Sequence, residues 1–203
     1  MKVIAIGRNY AEHAKELNNA IPESPVIFLK PDTAVTKNNK PFYIPEFSQD
    51  IHYELELVLK ISKEGKHIAE KFAHKYFEEI GLGIDYTARD IQTKQKNAGL
   101  PWELAKAFDG SAAISEFKPK SDFNNLYDLK FELHQNNEVK QLGHTADLIF
   151  SFEKIISFVS SYITLKKGDL IFTGTPAGVG KVKQGDVLTG YLENELMLNI
   201  EIR

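Results

Sequence analysis

The sequence predicts a β-rich α+β fold in which a curved, mixed sheet is covered by a few helices. Eight short segments are rich in branched or alternating apolar residues and predict strands, whereas four segments show helical spacing. Strands and helices do not alternate regularly, which argues against a doubly wound sheet. Polar turns at 136–137 and 193–195 indicate hairpins and favour antiparallel pairing.

The predicted elements follow one another along the chain without a long linker. The strands are predicted over residues 2–6, 25–30, 53–61, 81–85, 129–134, 170–173, 187–192 and 197–202. The helices are predicted over residues 10–17, 68–79, a stretch after residue 87, and 152–163. Polar residues and a proline at 18–24 predict a loop. We expect residues 8–24 to act as a lid over the site, and the loop at 18–24 to be poorly ordered without ligand.

Composition limits the class of protein. The 203 residues, 42% of them hydrophobic and 26% charged, predict one globular domain over residues 1–203. The absence of Cys excludes disulfides and thiolate metal sites, so we expect a reducing compartment and take the cytoplasm as the location. A net charge of -3 argues against nucleic-acid binding, and no long uncharged apolar run indicates a signal peptide or a membrane span.

Two glutamates in the strand predicted over 53–61 form a candidate ligand pair. Side chains alternate faces along a strand, so Glu54 and Glu56 share one side while the leucines at 55, 57 and 59 share the other. This alternation is typical of a half-exposed edge strand with a solvated face. The alternative is a cation between the two carboxylates that offsets their repulsion. The pattern alone leaves both interpretations open.

Asp85 is the best candidate for a third ligand. It ends the apolar segment 81–84, where a buried strand would deliver a carboxylate to the rim of the sheet. The alternative is that Asp85 caps the helix predicted after residue 87. Three carboxylates in a chain without Cys would select Mg²⁺ or Mn²⁺, with Ca²⁺ open if more oxygens join.

Two further sets of residues are candidates for catalysis. His13 and Glu16 are three residues apart in a predicted helix, so the carboxylate could orient the imidazole as a general base, or the two could be an ordinary surface pair. Lys106 lies among apolar neighbours and would need a counter-charge if buried. The alternative is a lysine that extends to solvent along an apolar surface.

A glycine-rich turn over residues 174–180 follows the strand predicted at 170–173. It is either a tight connection that needs positive φ angles, or a loop whose backbone N–H groups and Thr175 hydroxyl approach an anionic ligand. Lys30, at the end of the strand predicted over 25–30, either supplies a second positive charge or ends that strand.

Taken in order, these motifs form a series that runs from about residue 3 to the C-terminus. The series comprises residues 7–10 with His13 and Glu16, residues 28–31, 53–57, 85–90 and 99–102 leading to Lys106, and then residues 148–151, 168–169 and 173–180. It resembles the fumarylacetoacetate hydrolase family, and within it the short, single-domain branch that includes acylpyruvate hydrolases and oxaloacetate decarboxylases.

The resemblance implies a fold and a set of roles. The implied fold is the family's β-roll-like mixed sheet with flanking helices, in a homodimer that binds Mg²⁺ or Mn²⁺. The residues that match the family's metal ligands are Glu54, Glu56 and Asp85. Those that match its catalytic groups are His13, Glu16 and Lys106. Those that match positions near the substrate are Arg89, Gln92, Thr175 and, more weakly, Lys30.

The implied activity is that of a metal-dependent enzyme acting on small 2-oxo acids. We expect hydrolysis of the C–C bond of acylpyruvates, decarboxylation of oxaloacetate, or both, through a metal-stabilised pyruvate enolate. In hydrolysis His13 would activate water and Lys106 would stabilise negative charge. The alternatives are an isomerase or tautomerase of 2-hydroxy-dienedioate or 2-oxo-dicarboxylate substrates, and an inactive metal-binding relative.

Overall fold

The computed structural model describes residues 1–17 and 20–203, and it confirms the β-rich α+β fold. The five helices of this part are α1 (Ala11–Glu16), α2 (Glu70–Ala73), α3 (Arg89–Asn97), α4 (Glu103–Lys106) and α5 (Phe152–Tyr162). Its fifteen strands are β1 (Val3–Gly7), β2 (Val26–Lys30), β3 (Val35–Thr36), β4 (Ile51–Tyr53), β5 (Leu55–Ile61), β6 (Phe77–Asp85), β7 (Thr87–Ala88), β8 (Ala112–Ile114), β9 (Lys118–Pro119), β10 (Lys130–Gln135), β11 (Glu138–His144), β12 (Leu170–Phe172), β13 (Gly180–Lys181), β14 (Val187–Leu192) and β15 (Glu195–Glu201).

The largest sheet is mixed and holds β5 near its centre. Its strand order is β2-β1-β12-β5-β6-β8-β3, and β9 adds to β6. The β1–β12 and β3–β8 pairs are parallel, whereas β5 is antiparallel to both β12 and β6. The edge-strand interpretation of 53–61 is therefore wrong, because β5 has a hydrogen-bonded strand on each side.

A second, antiparallel sheet has the order β11-β10-β14-β15. Its two hairpins confirm the predicted turns: Asn136 and Asn137 have φ angles of 54° and 67°, and Glu193 and Asn194 have φ angles of 49° and 69°. Positive φ at both central residues matches the right-handed twist of the flanking strands. A small third sheet, β13-β4-β7, lies beside the site described below.

Apolar side chains cover both faces of the large sheet. Leu55, Leu57 and Leu59 lie in the main core, which also includes residues of the second sheet and of α5. Val58 and Phe172 belong to a second cluster on the opposite face. Because both faces are covered, polar side chains that point inward from β5 are removed from bulk water.

Three local predictions need correction or completion. The helix predicted over 68–79 is wrong: α2 ends at Ala73, and β6 begins at Phe77, whose buried ring packs on Phe152. The strand predicted over 53–61 is interrupted at Glu54. Residues 20–24 form neither helix nor strand, as predicted, while residues 18 and 19 of the predicted loop lie outside the described residues.

No helix in the described part is long and apolar enough to cross a membrane.

Candidate active site

Three carboxylates meet where β5 and β6 run side by side. Glu54 precedes β5, Glu56 lies on it, and Asp85 ends β6. The antiparallel register places Leu55 opposite Ile84, and the backbone N–H of Asp85 donates to the carbonyl oxygen of Glu54 at 2.8 Å. One carboxylate oxygen from each acidic residue lies within 4.8 Å of the others, and all three residues are buried. We call Glu54, Glu56 and Asp85 the acidic triad.

Three cations contact the acidic triad directly, and two of them, Lys106 and Arg89, also line the cavity. The Nζ of Lys106 donates to Glu54 at 2.7 Å, to Asp85 at 2.8 Å and to the Thr87 hydroxyl at 2.5 Å. Arg89 donates to the other oxygen of Glu54. Lys106 is 3% exposed, so the interpretation of a lysine that extends to solvent is wrong. Burial alone would lower the pKa of Lys106, but the charges of Asp85 and Glu54 outweigh it and raise that pKa.

Lys30 supports the acidic triad from behind. Its Nζ lies 2.7 Å from Asp85 and donates to the carbonyl and hydroxyl oxygens of Ser111 at 3.1 and 3.0 Å. The side chain is fully buried and is not among the described residues that line the cavity. Lys30 thus lies behind Asp85, enclosed between β2 and the segment that follows α4, and its predicted place near the substrate stays a prediction.

The two glutamates of the acidic triad have opposite electrostatic environments. Burial raises the pKa of Glu56 well above its ordinary value, and the nearby charges of Asp85 and Glu54 raise it further. Burial acts on Glu54 in the same direction, but the charges of Lys106 and Arg89 outweigh it and lower the pKa. Glu56 is therefore the member whose negative charge the protein compensates least.

This donor set suits a divalent metal ion. Carboxylate oxygens are the ligands that Mg²⁺ and Mn²⁺ prefer, and a cation near the acidic triad would neutralise the repulsion that raises the pKa of Glu56. The N-cap interpretation of Asp85 is wrong, since α3 begins at Arg89 with Ala88 at its N-cap position. Both observations agree with the metal-ligand prediction.

His13 and Glu16 form the predicted pair on α1. His13 Nδ1 lies 3.1 Å from Glu16 Oε2, and the backbone N–H of Gly178 donates to the other oxygen of Glu16 at 3.1 Å. His13 is 5% exposed and lines the same cavity as the acidic triad. The interpretation as an ordinary surface pair is therefore wrong, because the imidazole faces the cavity and the carboxylate is fixed from the far side.

The glycine-rich turn binds the protein's own carboxylates. The N–H of Gly174 donates to Glu56 at 2.7 Å, just as the N–H of Gly178 donates to Glu16. A Cβ at Gly174, where φ is 105°, would lie 2.6 Å from the Cβ of Asn9. Two N–H groups of this turn therefore donate to side chains of the site, to the buried Glu56 and to the partly exposed Glu16, while an approach of the other N–H groups and of Thr175 to an anion stays a prediction.

One cavity joins these groups to three of the predicted substrate residues. Arg89, Gln92 and Thr175 line it together with the acidic triad, His13 and Lys106. Arg89 and Gln92 lie three residues apart on α3, and Arg89 donates to the Gln92 side-chain oxygen at 2.6 Å. The structure thus brings together all the predicted site residues except Lys30, which lies behind Asp85, and Glu16, which holds His13.

Sequence reasoning missed two residues that hold the site in place. Asn9 donates from Nδ2 to the carbonyl oxygens of Thr173 at 2.8 Å and Phe150 at 3.1 Å, and its Oδ1 accepts from the N–H of Phe150 at 2.7 Å. It therefore fastens the segment before α1 to the start of the glycine-rich turn. Asn9 lies in the motif at 7–10, but nothing in that motif indicated that its side chain connects two distant segments.

Gln141 is the second missed residue. Its Oε1 accepts from the N–H of Leu55 at 2.9 Å, and its Nε2 donates to Thr175 Oγ1 at 2.8 Å and to the carbonyl oxygen of Pro176 at 2.9 Å. It therefore connects the strand of the acidic triad to the glycine-rich turn. Gln141 lies in the mostly polar segment Glu138–His144, so nothing in its local sequence indicated a buried role.

Three further residues that line the cavity were not predicted as site residues: Arg8, Lys96 and Trp102.

The similarity to known proteins agrees with this geometry. Residues 2–197 match the family described as fumarylacetoacetate (FAA) hydrolase C-terminal. The chain belongs to this family. It is 40% identical to the mitochondrial oxaloacetate tautomerase FAHD1 of Bos taurus over 98% of this chain and 90% of the relative. It is 42% identical to the mitochondrial oxaloacetate decarboxylase of Dictyostelium discoideum over 100% of this chain and 94% of the relative.

Solved structures of the family share this fold. The crystal structure of fumarylpyruvate hydrolase from Pseudomonas aeruginosa, in complex with Mn²⁺ and pyruvate, has a TM-score of 0.93 and 34% identity, covering 100% of this chain and 90% of the other. A fumarylacetoacetate hydrolase family protein from Yersinia pestis has a TM-score of 0.96 and 39% identity, covering 100% and 93%. The family therefore includes tautomerases, decarboxylases and hydrolases, and one of its members binds Mn²⁺.

Proposed function

We propose that this chain is a divalent-metal-dependent enzyme that acts on small 2-oxo acids, with oxaloacetate as the first substrate to test. The observation that carries the proposal is the single cavity in which the acidic triad, His13 and Lys106 meet. A metal-binding protein without catalysis would have no need for a buried imidazole held by a carboxylate beside its metal ligands. The names of the relatives, oxaloacetate tautomerase and oxaloacetate decarboxylase, support the choice of substrate.

The acidic triad would hold the metal ion. Mg²⁺ and Mn²⁺ both suit three carboxylates, and Mn²⁺ in the related fumarylpyruvate hydrolase supports this choice of divalent ion. When bound, such an ion supplies Lewis-acid polarisation of a 2-oxo group and makes the neighbouring carbon easier to deprotonate or cleave. Lys30, buried behind Asp85, would hold that carboxylate in place through the contact at 2.7 Å.

His13 is the proposed acid and base. Glu16 accepts from one ring nitrogen if the proton is on Nδ1, which leaves Nε2 able to take or give a proton in the cavity. Moving a proton between the carbon next to the 2-oxo group and its oxygen interconverts keto and enol forms. Gly178 holds Glu16 from the outside, so the imidazole keeps one orientation during this transfer.

Lys106 and Arg89 are proposed to stabilise negative charge on the substrate oxygens. Lys106 remains charged because Glu54 and Asp85 raise its pKa despite burial. In a cavity with little water, a fixed charge stabilises a developing oxyanion more strongly than it would in solvent. Thr175 and Gln92 add hydrogen-bonding groups to the same cavity wall.

Three reactions fit this arrangement of groups. Tautomerisation of oxaloacetate needs only the proton transfer by His13. Decarboxylation depends mainly on the electron-withdrawing effect of the metal ion that the acidic triad would hold. Hydrolysis of acylpyruvates, the second candidate, needs His13 to activate a water molecule as well. The His13–Glu16 pair and the related hydrolase crystallised with pyruvate favour keeping hydrolysis as a candidate.

The test is a set of substrates assayed with one set of variants. Metal-stripped and Mg²⁺- or Mn²⁺-loaded protein would be given enol oxaloacetate, keto oxaloacetate and acetylpyruvate, while ketonisation and pyruvate release are followed. We expect metal-dependent ketonisation that falls by about 10² to 10³ in His13→Gln. Metal-dependent pyruvate release from acetylpyruvate that also depends on His13 would establish hydrolysis. No turnover of any of the three would reject the proposed function.

The homodimer and the cytoplasmic location remain predictions within this proposal. Sedimentation of the purified chain at two concentrations would test the first, and fractionation of cells that express it would test the second.

A further inference from the structure

One wall of the cavity carries three cations that arrive from two places in the sequence. Arg89 and Lys96 lie seven residues apart on α3, so they face the same side of that helix, with Gln92 between them. Arg8 reaches the cavity from the turn between β1 and α1. None of the motif assignments gave a role to Arg8 or Lys96.

The backbone holds Arg8 in an unusual conformation. Its φ angle is 62°, in the left-handed region that non-glycine residues rarely adopt. The next residue, Asn9, fixes this turn through its side-chain hydrogen bonds to Phe150 and Thr173, and the N–H of Ile149 donates to its carbonyl oxygen at 2.9 Å. Strained residues that the surroundings hold firmly are concentrated at ligand sites.

The three cations are close enough to affect one another. Lys96 is largely exposed, but its partial burial lowers its pKa, and the charges of Arg8 and then Arg89 lower this pKa further. Arg89 also contacts Glu54 and Gln92, which places it nearest to the acidic triad. Arg8 and Lys96 therefore form the outer part of this cationic wall, and two positive charges that line one cavity attract an anionic group of a ligand.

The cavity has room beyond the acidic triad on this side. A second cavity of about 230 Å³ shares Leu17, Arg89, Gln92 and Lys96 with the first. A substrate whose reacting end lies at the acidic triad can thus extend along α3, with its far end beside Lys96.

We propose that Arg8 and Lys96 bind the distal carboxylate of the substrate, and that they make the enzyme selective for dicarboxylic over monocarboxylic 2-oxo acids. This inference rests on the proposed function and assigns its substrate class. Charge-assisted hydrogen bonds to a carboxylate are about twice as strong as neutral ones, so two such cations give a large preference for a second negative charge.

The experiment compares substrates that differ only in that charge. Ketonisation of oxaloacetate and of its 4-methyl ester would be measured with wild type, Arg8→Gln and Lys96→Gln. Lys94→Gln is the matched control, because Lys94 is an exposed cation on the same helix that does not line the cavity. Because Lys96 is exposed, we expect Lys96→Gln to fold normally. This variant therefore still tests the proposal if Arg8→Gln does not fold.

We expect wild type to prefer the diacid. Each cavity variant should raise KM for the diacid about 10- to 100-fold, the effect of one charge-assisted hydrogen bond, while kcat and the kinetics of the ester stay nearly unchanged. Lys94→Gln should behave as wild type. Equal losses for both substrates, or a preference for the diacid that survives in both variants, would overturn the proposal.

A binding measurement separates this inference from the proposed function. Malate and lactate are 2-hydroxy acids that differ by a distal carboxylate, and their binding to Mg²⁺-loaded protein can be titrated without turnover. We expect malate to bind more tightly to wild type, and this difference to shrink in Arg8→Gln and Lys96→Gln. If no substrate is turned over but malate still binds more tightly than lactate, the proposed reaction is rejected and the dicarboxylate site is supported. Malate that binds no more tightly than lactate contradicts the dicarboxylate site itself.

Discussion

Two buried carboxylates in this fold, Asp169 and Glu56, have opposite surroundings. Asp169, before β12, accepts from the backbone N–H groups of Lys2 at 2.9 Å and Lys166 at 2.8 Å, and it pairs with the Lys2 side chain at 2.5 Å. Glu56 accepts from the N–H of Gly174 but lies beside two other carboxylates. Asp169 has local compensation for its charge and so stabilises a turn, whereas Glu56 lacks it and so is suited to bind a cation.

The pKa shifts of the two groups follow the same contrast. Burial would raise the pKa of Asp169, but hydrogen bonds from Lys2 and Lys166 outweigh it and lower the pKa. Burial and like charges raise the pKa of Glu56. A buried carboxylate is therefore informative about function only when its partners are known, since burial alone acts in the same direction on both.

The largest effect should come from Glu56→Gln. Loss of one metal ligand should lower the metal-dependent activity at least about 1000-fold, or about 4 kcal/mol in transition-state stabilisation, and should abolish the rise in melting temperature caused by Mg²⁺. Without metal, the variant should melt at a higher temperature than wild type at neutral pH, because the repulsion among the carboxylates is reduced.

The pH dependence of stability tests why metal-free Glu56→Gln should melt at a higher temperature than wild type. Because the folded-state pKa of Glu56 is raised, the metal-free wild type loses stability as the pH rises above the ordinary value of 4.5 through the folded-state pKa. Below 4.5 the carboxyl is protonated in both the folded and the unfolded state, so the advantage of Glu56→Gln should disappear there. A metal-free variant that is less stable than wild type at neutral pH would show that Glu56, like Asp169, serves the fold.

The next effect should come from Glu16→Gln, which removes the charge beside His13 but keeps an oxygen for the Gly178 N–H. We expect kcat to fall about 10- to 100-fold with little change in KM, because the imidazolium formed during proton transfer loses its counter-charge. Pre-steady-state or steady-state ketonisation across pH would measure it. Glu12→Gln, an exposed change on the same helix, is the control; if both variants behave alike, Glu16 does not act through His13.

Gln141→Ala tests the link between the acidic triad and the glycine-rich turn. It leaves the N–H of Leu55 and the carbonyl oxygen of Pro176 buried without this partner, so the free energy of unfolding should fall by about 2 kcal/mol. Denaturant titration would measure this, with Lys140→Gln on the same strand as a half-exposed control. A change no larger than that of the control would mean that the turn is held by other contacts.

Asp169→Asn should have the smallest effect and should act on the fold alone. Stability should fall by about 1 kcal/mol, while the activity of the folded fraction stays unchanged. Since the folded-state pKa of Asp169 is lowered, its contribution is complete above the ordinary value of 3.8 and is lost as the pH falls through the folded-state pKa. Thermal melts of wild type and variant should therefore converge in acid. Loss of activity per folded molecule would remove the distinction drawn between Asp169 and Glu56.

Local spacing predicted which side chains of the site lie together, and the resemblance to the family supplied their roles. The alternation at 54–59 placed Glu54 and Glu56 on one face, and the separation of three residues placed His13 beside Glu16. The helix predicted over 68–79 failed because its apolar spacing also suits the buried start of β6, where pairing with β5 decides the conformation.

The sequence by itself determined the β-rich fold class and the two hairpin turns, since these depend on alternation and turn chemistry within a few neighbouring residues. Local spacing also identified Glu54, Glu56 and Asp85 as candidate ligands but left alternatives open, and the resemblance to the family favoured the metal-ligand interpretation. Only the tertiary structure decided which charges are compensated. Lys30 reaches Asp85 from another strand, Gly174 reaches Glu56 across 118 residues, and Gln141 reaches Leu55 across 86. These contacts arise from the order of strands in the sheets, which brings distant segments together, and no local pattern encodes that order.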